Sequence, residues 1–354
     1  MDHQKILVLR LSAVGDVIRT LPAVKAIKTS IPTTSITWIT EEPSKALIES
    51  QPEIDEVILF PRQRWSEGMR SSKRFWKTIG EIREFIQSLR RKNFDVALDF
   101  HGILKSGLLS FLSRSLKRIG FDRRSSREGN FLFSNIKVKL PRKRISRFER
   151  NFYLLKGLGL EIPFRNYPLH IPREDREYVE TFFKGISTSL KHPSIAIHPG
   201  TSPKTTYKRW FPERYAQLAD RLVQERNATI LFTWGPGELD WVKTIQQMMK
   251  EPSILGPHTF TLTQLAEVFR RCDLYIGGDT GPMHIASLMG LPVVVIYGPT
   301  DPVMNEPFGP HQKVIKNVGC NPCRDRSCKD LKCLKEITVE DVFKATKEVI
   351  SITH

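Results

Sequence analysis

Short apolar runs alternate with longer segments of helical period along the first 100 residues of this chain. Apolar runs of about four to eight residues are typical of buried strands, and apolar residues that recur every three or four positions are typical of amphipathic helices. The pattern predicts strands at 5–11, 35–40, 56–60 and 95–100, and helices at 17–29 and 74–92. This alternation predicts a parallel sheet with helices on both faces, whose active groups lie at the carboxyl ends of the strands.

The same alternation begins again after a stretch punctuated by proline at 163–172. The second half is predicted to contain strands at 195–197, 228–233, 273–276 and 292–297, and helices at 212–226, 238–250, 263–271 and 282–289. Thr338 and Asp341 have the spacing of a capping box at the start of a closing helix. We predict an α/β fold of two Rossmann-like parallel-sheet domains, 1–172 and 173–354, which face each other across a cleft that is the natural ligand site.

Positive charge is concentrated in one part of the chain. Residues 60–150 contain 24 Lys plus Arg and 8 Asp plus Glu, so they hold a net charge of +16 out of the +17 of the whole chain. A bias this local indicates a face of the first domain that meets a polyanion, such as phosphate groups, an acidic lipid or a nucleic acid. The alternative is a basic surface that serves solubility alone.

Nothing in the sequence predicts insertion into a membrane. No apolar run reaches the roughly 18 positions that a spanning helix needs. The amino-terminal segment enters a strand directly and shows no small-residue cleavage site of a signal peptide. We therefore expect a cytoplasmic protein.

The loop after the first predicted strand carries one acidic side chain, Asp16, in the sequence LSAVGD at 11–16. This loop has one glycine where the dinucleotide-binding fingerprint has three, which disfavours a dehydrogenase. Asp16 lies at the carboxyl end of a strand and beside the start of a helix. That position suits either a catalytic base or a cap of the helix at 17–29, and the sequence leaves both open.

Two strand-to-helix loops of the second domain have the composition of a phosphate-binding site. Residues 277–284 (GGDTGPMH) enter a helix with proline in its first turn, so small side chains allow a ligand to approach the free N–H groups of that helix. Residues 198–210 (HPGTSPKTTYKRW) form a loop rich in hydroxyl groups and cations. A fixed lysine in that loop would stabilise the charge that grows on a departing nucleoside diphosphate. The loop at 297–302 is expected to border the same pocket.

Four of the five cysteines fall within one short segment, at Cys320, Cys323, Cys328 and Cys333. A reducing cytoplasm disfavours disulfides between them. The cluster suits a structural zinc ion, but its spacing differs from that of paired Cys-x2-Cys knuckles, so a zinc site and a metal-free segment both remain open. No set of His, Asp or Glu ligands accompanies the cysteines, which disfavours a catalytic metal.

Several segments together resemble the ADP-heptose:lipopolysaccharide heptosyltransferases, glycosyltransferase family 9. These segments are 10–16 (RLSAVGD), 198–200 (HPG), 208–212 (KRWFP), 278–284 (GDTGPMH) and 297–302 (YGPTDP). Residues 99–106 (DFHGILKS) and 62–65 (RQRW) are most similar to the heptosyltransferase I branch, which adds the first heptose to Kdo on lipid A. The resemblance implies a GT-B fold and inverting transfer of heptose from ADP-heptose to the Kdo–lipid A inner core of lipopolysaccharide, with no cofactor required.

The resemblance also implies roles for individual residues. Asp16 would take the proton from the acceptor hydroxyl, and Lys208 would bind the leaving phosphates. The residues implied in binding are Thr201, Ser202, Asp279, Thr280, Gly281 and His284 for the donor, and Arg62, Arg64, His101 and Lys105 for the acceptor. The implied partners are a nucleotide-sugar donor and an anionic lipid-linked acceptor, so the protein would be cytoplasmic and peripherally associated with the inner membrane.

Other functions fit parts of the sequence. Within the family, heptosyltransferase II or a later core glycosyltransferase is the nearest alternative. A nucleotide-sugar 2-epimerase of the same fold would need the phosphate-binding second domain but not the basic first domain. A nucleic-acid-binding protein would account for the charge, but the chain has no recognised binding module and few aromatic residues within the basic region, so no nucleic acid partner is expected.

Overall fold

The computed structural model describes residues 4–323 and 325–353. It divides into two compact units, Met1–Tyr167 and Pro168–His354, and each unit has its own parallel sheet. The sequence predicts the division at residue 172, close to this boundary.

The first unit is a six-stranded parallel sheet flanked by helices, as far as the described residues show. Its strands are β1 Lys5–Leu9, β2 Ser35–Thr40, β3 Glu56–Leu59, β4 Val96–Asp99, β5 Lys117–Phe121 and β6 Ile136–Val138. Its helices are α1 Val14–Ser30, α2 Lys45–Glu49, α3 Arg62–Arg70, α4 Phe75–Arg91, α5 Leu104–Leu112 and α6 Arg147–Leu155. The spatial order is β3-β2-β1-β4-β5-β6, and β1 is almost entirely buried at its centre.

The second unit repeats this plan over the part of the chain that is described. Its strands are β7 Ser194–His198, β8 Thr229–Phe232, β9 Ile254–Leu255, β10 Leu274–Gly278, β11 Val293–Tyr297 and β12 His311–Ile315. Its helices are α7 Arg173–Gly185, α8 Pro212–Arg226, α9 Leu239–Met248, α10 Leu262–Arg270, α11 Gly281–Leu288, α12 Lys332–Lys335 and α13 Val339–Thr353. The spatial order is β12-β11-β10-β7-β8-β9.

Each sheet reverses its strand order beside its first strand. In the first unit β1 pairs with β2 on one side and with β4 on the other, and in the second unit β7 lies in the same way between β8 and β10. In an open parallel sheet, a ligand binds outside the carboxyl ends of the strands at such a reversal. The predicted α/β class with two Rossmann-like parallel sheets is confirmed, and the loops after these central strands are the places to look for chemistry.

Two helix ends show why local sequence predicts some boundaries well. α8 begins at Pro212, whose fixed backbone angle suits a first turn, and ends before Asn227, which has the left-handed φ of 50°. The capping box of α13 is also confirmed. The Thr338 backbone N–H donates to Asp341 Oδ2 at 2.8 Å, and the Asp341 N–H donates to Thr338 Oγ1 at 3.2 Å.

Other elements differ from the prediction. The first helix begins at Val14 rather than at residue 17, so Asp16 lies inside it. The prediction also omits β5, β6, α2, α3, α5 and α6 of the first unit, and β9, β12, α7 and α12 of the second. α3, α5 and α6 lie in or beside the basic region.

Candidate functional site

Asp16 lies in the first turn of α1 and is surrounded by arginines. Its Oδ2 is 2.5 Å from Arg10 Nη2, and its Oδ1 is 2.6 Å from Arg19 Nη2. Arg147, from α6, adds a third cation with its Nε 3.9 Å from Asp16 Oδ1. Arg10 and Arg19 are buried, whereas a quarter of the Asp16 side chain is exposed (25%).

This environment decides the charge of Asp16. Burial alone would raise the pKa of its carboxyl group, but the charges of Arg10, Arg19 and Arg147 outweigh burial and hold the pKa well below its usual range. The carboxyl group is therefore ionised at physiological pH. The interpretation of Asp16 as a helix cap is wrong, because Ala13 is the N-cap residue and the Asp16 carboxylate is engaged by arginines.

The loop after β4 brings His101 beside the loop after β1. His101 Nδ1 accepts a hydrogen bond from the Leu11 backbone N–H at 3.3 Å. Burial, and next the charge of Arg10, lower the pKa of His101 to about 3. The imidazole is therefore neutral at physiological pH and acts as a hydrogen-bonding group rather than as a cation.

A buried carboxylate that the sequence analysis did not single out holds this loop in place. Asp99, fully buried at the end of β4, accepts hydrogen bonds from the backbone N–H groups of His101 and Gly102 at 3.0 Å each. It also accepts from Ser106 Oγ at 2.9 Å and Asn130 Nδ2 at 2.6 Å. Burial raises the pKa of Asp99, although these donors oppose the shift. Its signal in the sequence is a lone acidic residue that ends an apolar strand.

Arg150 is a second residue that the sequence analysis missed. It extends from α6 to the same loop, where its Nη1 donates to the Phe100 carbonyl at 3.3 Å and its guanidinium lies 3.6 Å from the centre of the Phe121 ring. Burial, and next the charge of Arg10, lower the pKa of Arg150 to about 9. Positive charge is thus dense enough around Asp16 to attract an anionic ligand.

The other predicted acceptor residues lie on the surface of the first unit. Arg62 Nη1 is 3.5 Å from Glu41 Oε1, and its charge contributes to the lowered pKa of His101, so it lies within electrostatic reach of the loop after β4. Arg64 instead pairs with Glu81 of α4. Lys105 is exposed in the first turn of α5.

In the second unit, the loops after β7 and β10 meet through Lys208 and Asp279. Lys208 Nζ is 3.8 Å from Asp279 Oδ2 and donates to the Asp279 backbone carbonyl at 3.4 Å. His284 Nε2 is 3.7 Å from Asp279 Oδ1 on the other side. Asp279 and His284 are buried, whereas Lys208 is partly exposed. An ammonium group has three N–H donors, so Lys208 can hold Asp279 and still bind a ligand oxygen.

The start of α11, the helix that follows Asp279, also favours the binding of an anion beside Lys208. Thr280 is the N-cap residue of α11, Gly281 is its first residue, and proline lies in its first turn. The first N–H groups of a helix have no partner within it and carry partial positive charge. A diphosphate beside Lys208 and this helix start would meet both charges.

Close backbone packing explains two of the glycines in these loops. A Cβ at Gly277 would lie 2.5 Å from Tyr275 Oη and 2.8 Å from the His198 carbonyl oxygen. A Cβ at Gly200 would lie 2.2 Å from Glu238 Oε2. Glu238, which the sequence analysis did not single out, also lies 3.3 Å from His198 Nε2 and accepts from the Gly235 N–H at 2.8 Å. Glu238 therefore fixes the start of the loop after β7.

Thr201 and Ser202, the predicted pair of hydroxyl groups, form hydrogen bonds with other residues of the loop after β7. Thr201 Oγ1 donates to the Thr205 carbonyl at 3.1 Å and accepts from Arg209 Nε at 3.1 Å. Ser202 is exposed, and its Oγ lies 2.9 Å from Thr205 Oγ1. Ser202 is therefore the more accessible of the two hydroxyl groups for a phosphate, and Arg209 is a further cation beside them.

The cysteine segment does not form a ready metal site. Burial, and next the charges of Cys323, Cys320 and Cys328, raise the pKa of Cys333. Over residues 4–323 and 325–353, however, no group of three or more His, Cys, Asp or Glu side chains is arranged to hold a metal ion. The zinc site stays a prediction, and these side chains as placed do not fit a tetrahedral ion.

No helix within the described residues is long and apolar enough to cross a membrane.

Comparison with known sequences points to one family. The family model described as glycosyltransferase family 9 (heptosyltransferase) matches residues 82–334. The lipopolysaccharide core heptosyltransferase OpsX of Haemophilus influenzae is 28% identical over 313 residues, which are 87% of this chain and 83% of that protein. The lipopolysaccharide heptosyltransferase 1 of Pseudomonas aeruginosa is 27% identical over 92% of this chain and 87% of its own length. The lipopolysaccharide heptosyltransferase 2 of Escherichia coli is 25% identical over 89% and 88%.

Comparison with solved structures gives the same fold. A glycosyl transferase of family 9 from Veillonella parvula superposes with a TM-score of 0.76 at 26% identity, over 99% of this chain and 98% of that one. The E. coli heptosyltransferase WaaC, solved with ADP, superposes with a TM-score of 0.73 at 22% identity, over 98% and 100%.

Proposed function

Because this chain belongs to glycosyltransferase family 9, the heptosyltransferases, we propose that it transfers heptose from ADP-heptose to the Kdo–lipid A inner core of lipopolysaccharide. The observation that carries the proposal is the meeting of Lys208, Asp279 and the start of α11 at the strand-order reversal of the second sheet. Relatives named as heptosyltransferases of the lipopolysaccharide core, similar over most of their length, support the same reaction.

On the donor side, the second unit supplies positive charge for the leaving group. The bond between the anomeric carbon and the diphosphate breaks, and the electron pair leaves with the phosphate oxygen. Lys208 and the N–H groups at the start of α11 stabilise the charge that develops there, and Asp279 orients the ammonium group. Thr201, Ser202 and His284 complete the set of donor-binding residues. Because these groups neutralise the diphosphate, we propose that transfer requires no metal ion.

On the acceptor side, Asp16 is the proposed general base. A sugar hydroxyl is a poor nucleophile at neutral pH, so a carboxylate must take its proton as it attacks the anomeric carbon from the face opposite to the leaving group. The arginines around Asp16 keep it ionised but lower its affinity for a proton. An anionic acceptor that pairs with Arg147, the most exposed of the three arginines, would draw this cation away from Asp16 and make Asp16 a stronger base. Acceptor binding and base activation would then be coupled.

A nearby alternative is that the acceptor already carries heptose. The relative named heptosyltransferase 2 from Escherichia coli matches over almost the same share of the chain, and at about the same identity, as those named heptosyltransferase 1, so similarity does not separate the two activities. The membrane partner is also part of the proposal, since the acceptor is linked to a lipid. We place the protein in the cytoplasm at the inner-membrane surface.

Mass spectrometry of the products tests the function. Purified protein is offered ADP-heptose with Kdo–lipid A, with heptosylated core, or without acceptor. We expect Kdo–lipid A to gain one heptose and ADP to be released only when an acceptor is present. Product from the heptosylated core alone would identify a later enzyme of the pathway, and a changed sugar nucleotide without acceptor would indicate an epimerase.

A further inference from the structure

α5 exposes an apolar stripe on the side that faces away from the sheet. Leu104, Leu108 and Phe111 are 47%, 43% and 52% exposed, and their spacing of four and three residues places them on one face of the helix. Buried residues on the other face, among them Ser106 and Leu109, fix the orientation of α5. A surface helix normally presents polar side chains to water, so this stripe departs from the usual pattern.

The segment that packs beside α5 carries a further exposed apolar side chain. The Phe111 and Phe133 rings meet edge to face, with their centres 6.1 Å apart. A Cβ at Gly107 would lie 2.7 Å from Asn130 Nδ2 and 2.8 Å from Phe133 Cδ2, so helix and segment are in close contact. Leu132 in that segment is 71% exposed. We call Leu104, Leu108, Phe111 and Leu132 together the α5 apolar face. Single exposed apolar residues need no explanation, but a group of them on one helix and on the segment packed against it indicates an interaction surface.

The surroundings of the α5 apolar face are strongly basic. Residues 101–140 contain 9 Lys plus Arg against 2 Asp plus Glu. Arg118 lies 5.6 Å from the centre of the Phe111 ring, and Lys105 is exposed next to Leu104. An apolar surface with a basic rim suits the boundary between acyl chains and anionic headgroups, where the apolar side chains insert and the cations bind phosphate.

We propose that the α5 apolar face docks this protein on an anionic phospholipid bilayer. The choice of a bilayer rests on the proposed function, because a lipid-linked acceptor is presented at such a surface. It also rests on position along the chain. Leu104 directly follows the loop that carries His101 and precedes Lys105, both of which are assigned to the acceptor. Docking by this face therefore brings the acceptor-binding loop to the lipid surface.

Vesicle flotation without any substrate tests the proposal. Wild-type protein is mixed with vesicles of phosphatidylethanolamine and phosphatidylglycerol, or with neutral vesicles of phosphatidylcholine. The double variant Leu108→Glu with Phe111→Glu should bind anionic vesicles more weakly by roughly tenfold or more, because two inserting side chains become anionic. Leu132→Glu, outside the helix, should weaken binding independently. Phe260→Glu is the matched control, since Phe260 is 71% exposed in the second unit.

Further measurements distinguish a failure of the docking proposal from a failure of the proposed function. All variants should keep the wild-type melting temperature and should transfer heptose normally to a water-soluble, deacylated acceptor. Equal flotation of wild type, the double variant and Leu132→Glu would overturn the proposal, as would equal binding of wild type to neutral and anionic vesicles. A wild-type dimer that the double variant abolishes, without vesicle binding, would assign the face to a second copy of the chain. Failure of wild type to transfer to any acceptor would instead reject the proposed function and leave the flotation result standing.

Discussion

Arg10 Nη2 lies 2.5 Å from Asp16 Oδ2, and the same guanidinium donates through Nη1 to the Phe100 carbonyl at 2.9 Å. One buried arginine thus connects the residue after β1, the first turn of α1 and the loop after β4. This contact fixes the position of the proposed base and lowers its affinity for a proton. Asp16 is ionised at physiological pH but binds a proton weakly. It can therefore act as a base only if acceptor binding rearranges the arginines around it.

Asp16→Asn should lower kcat for transfer by about a hundredfold or more, within the range that loss of a general base usually costs. ADP affinity should stay near that of wild type, since the proposed donor-binding residues belong to the second unit. The melting temperature should fall, because the amide leaves buried Arg10 and Arg19 without their counter-charge. Rates are therefore compared well below the melting temperature of the variant. Asp240→Asn, an exposed acidic residue in the first turn of α9, is the control. An Asp16→Asn enzyme with wild-type kcat would reject the base.

Acid titration tests the ion pairs of Asp16 separately. In the native protein its pKa is held far below the value of about 3.9 that an unfolded aspartate has. Its contribution to stability is therefore present above about pH 4 and is lost as pH falls further, because the unfolded chain then binds the proton. The free energy of unfolding of wild type should fall more steeply below about pH 4 than that of Asp16→Asn. Parallel curves for the two proteins would show that the ion pairs contribute nothing.

His101 should affect stability in a different pH window. Its pKa is lowered to about 3 in the native protein, while an unfolded histidine has a pKa of about 6.5. The unfolded chain therefore gains a proton first as pH falls below about 6.5, and stability is lost from that point downward. His101→Gln keeps a hydrogen-bond acceptor and removes the titration. Urea unfolding from about pH 7 to pH 4 should show a shallower loss for His101→Gln than for wild type, and an imidazole that titrates near 6.5 by NMR would contradict the burial argument.

Lys208→Ala should lower kcat by about a hundredfold or more with a smaller effect on the donor KM. The ammonium acts on charge that develops as the diphosphate leaves, so its removal raises the transition state more than the ground state. Lys204→Ala is the matched control, because Lys204 is an exposed lysine of the same loop. Steady-state kinetics of both variants test this role of Lys208. A change confined to KM for Lys208→Ala, or equal losses in the two variants, would contradict the assigned role.

Arg62→Ala together with Arg64→Ala should raise the KM for an anionic acceptor and leave ADP affinity unchanged. Each cation already lies beside a carboxylate, Arg62 beside Glu41 and Arg64 beside Glu81, and exposed ion pairs of this kind contribute little to stability. The melting temperature should therefore change little. The effect on KM should shrink as salt is added, because ions screen exposed charges. An acceptor KM equal to that of wild type at low salt would remove both residues from the acceptor site.

The hydrophobic pattern by itself determined the α/β class and the division into two parallel-sheet units. Strand and helix periods are local properties of a segment, so the alternation at 5–100 and at 195–297 can be read from neighbouring residues. The same local chemistry located the loops after β1, β7 and β10, because each follows an apolar strand and begins a helix. It also placed the ends of α8, where Pro212 and Asn227 have backbone preferences of their own.

Only the tertiary structure decided what the residues in those loops do to one another. The sequence left Asp16 open between a cap and a base, and the surrounding arginines, one of them as distant along the chain as Arg147, excluded the cap. Lys208 and Asp279 likewise meet only because β7 and β10 are neighbours in the sheet. Charge state, burial and contact depend on groups that are far apart in the chain and close in space. A local pattern therefore predicts which loops hold the candidate functional residues, and strand order decides which of their side chains come into contact.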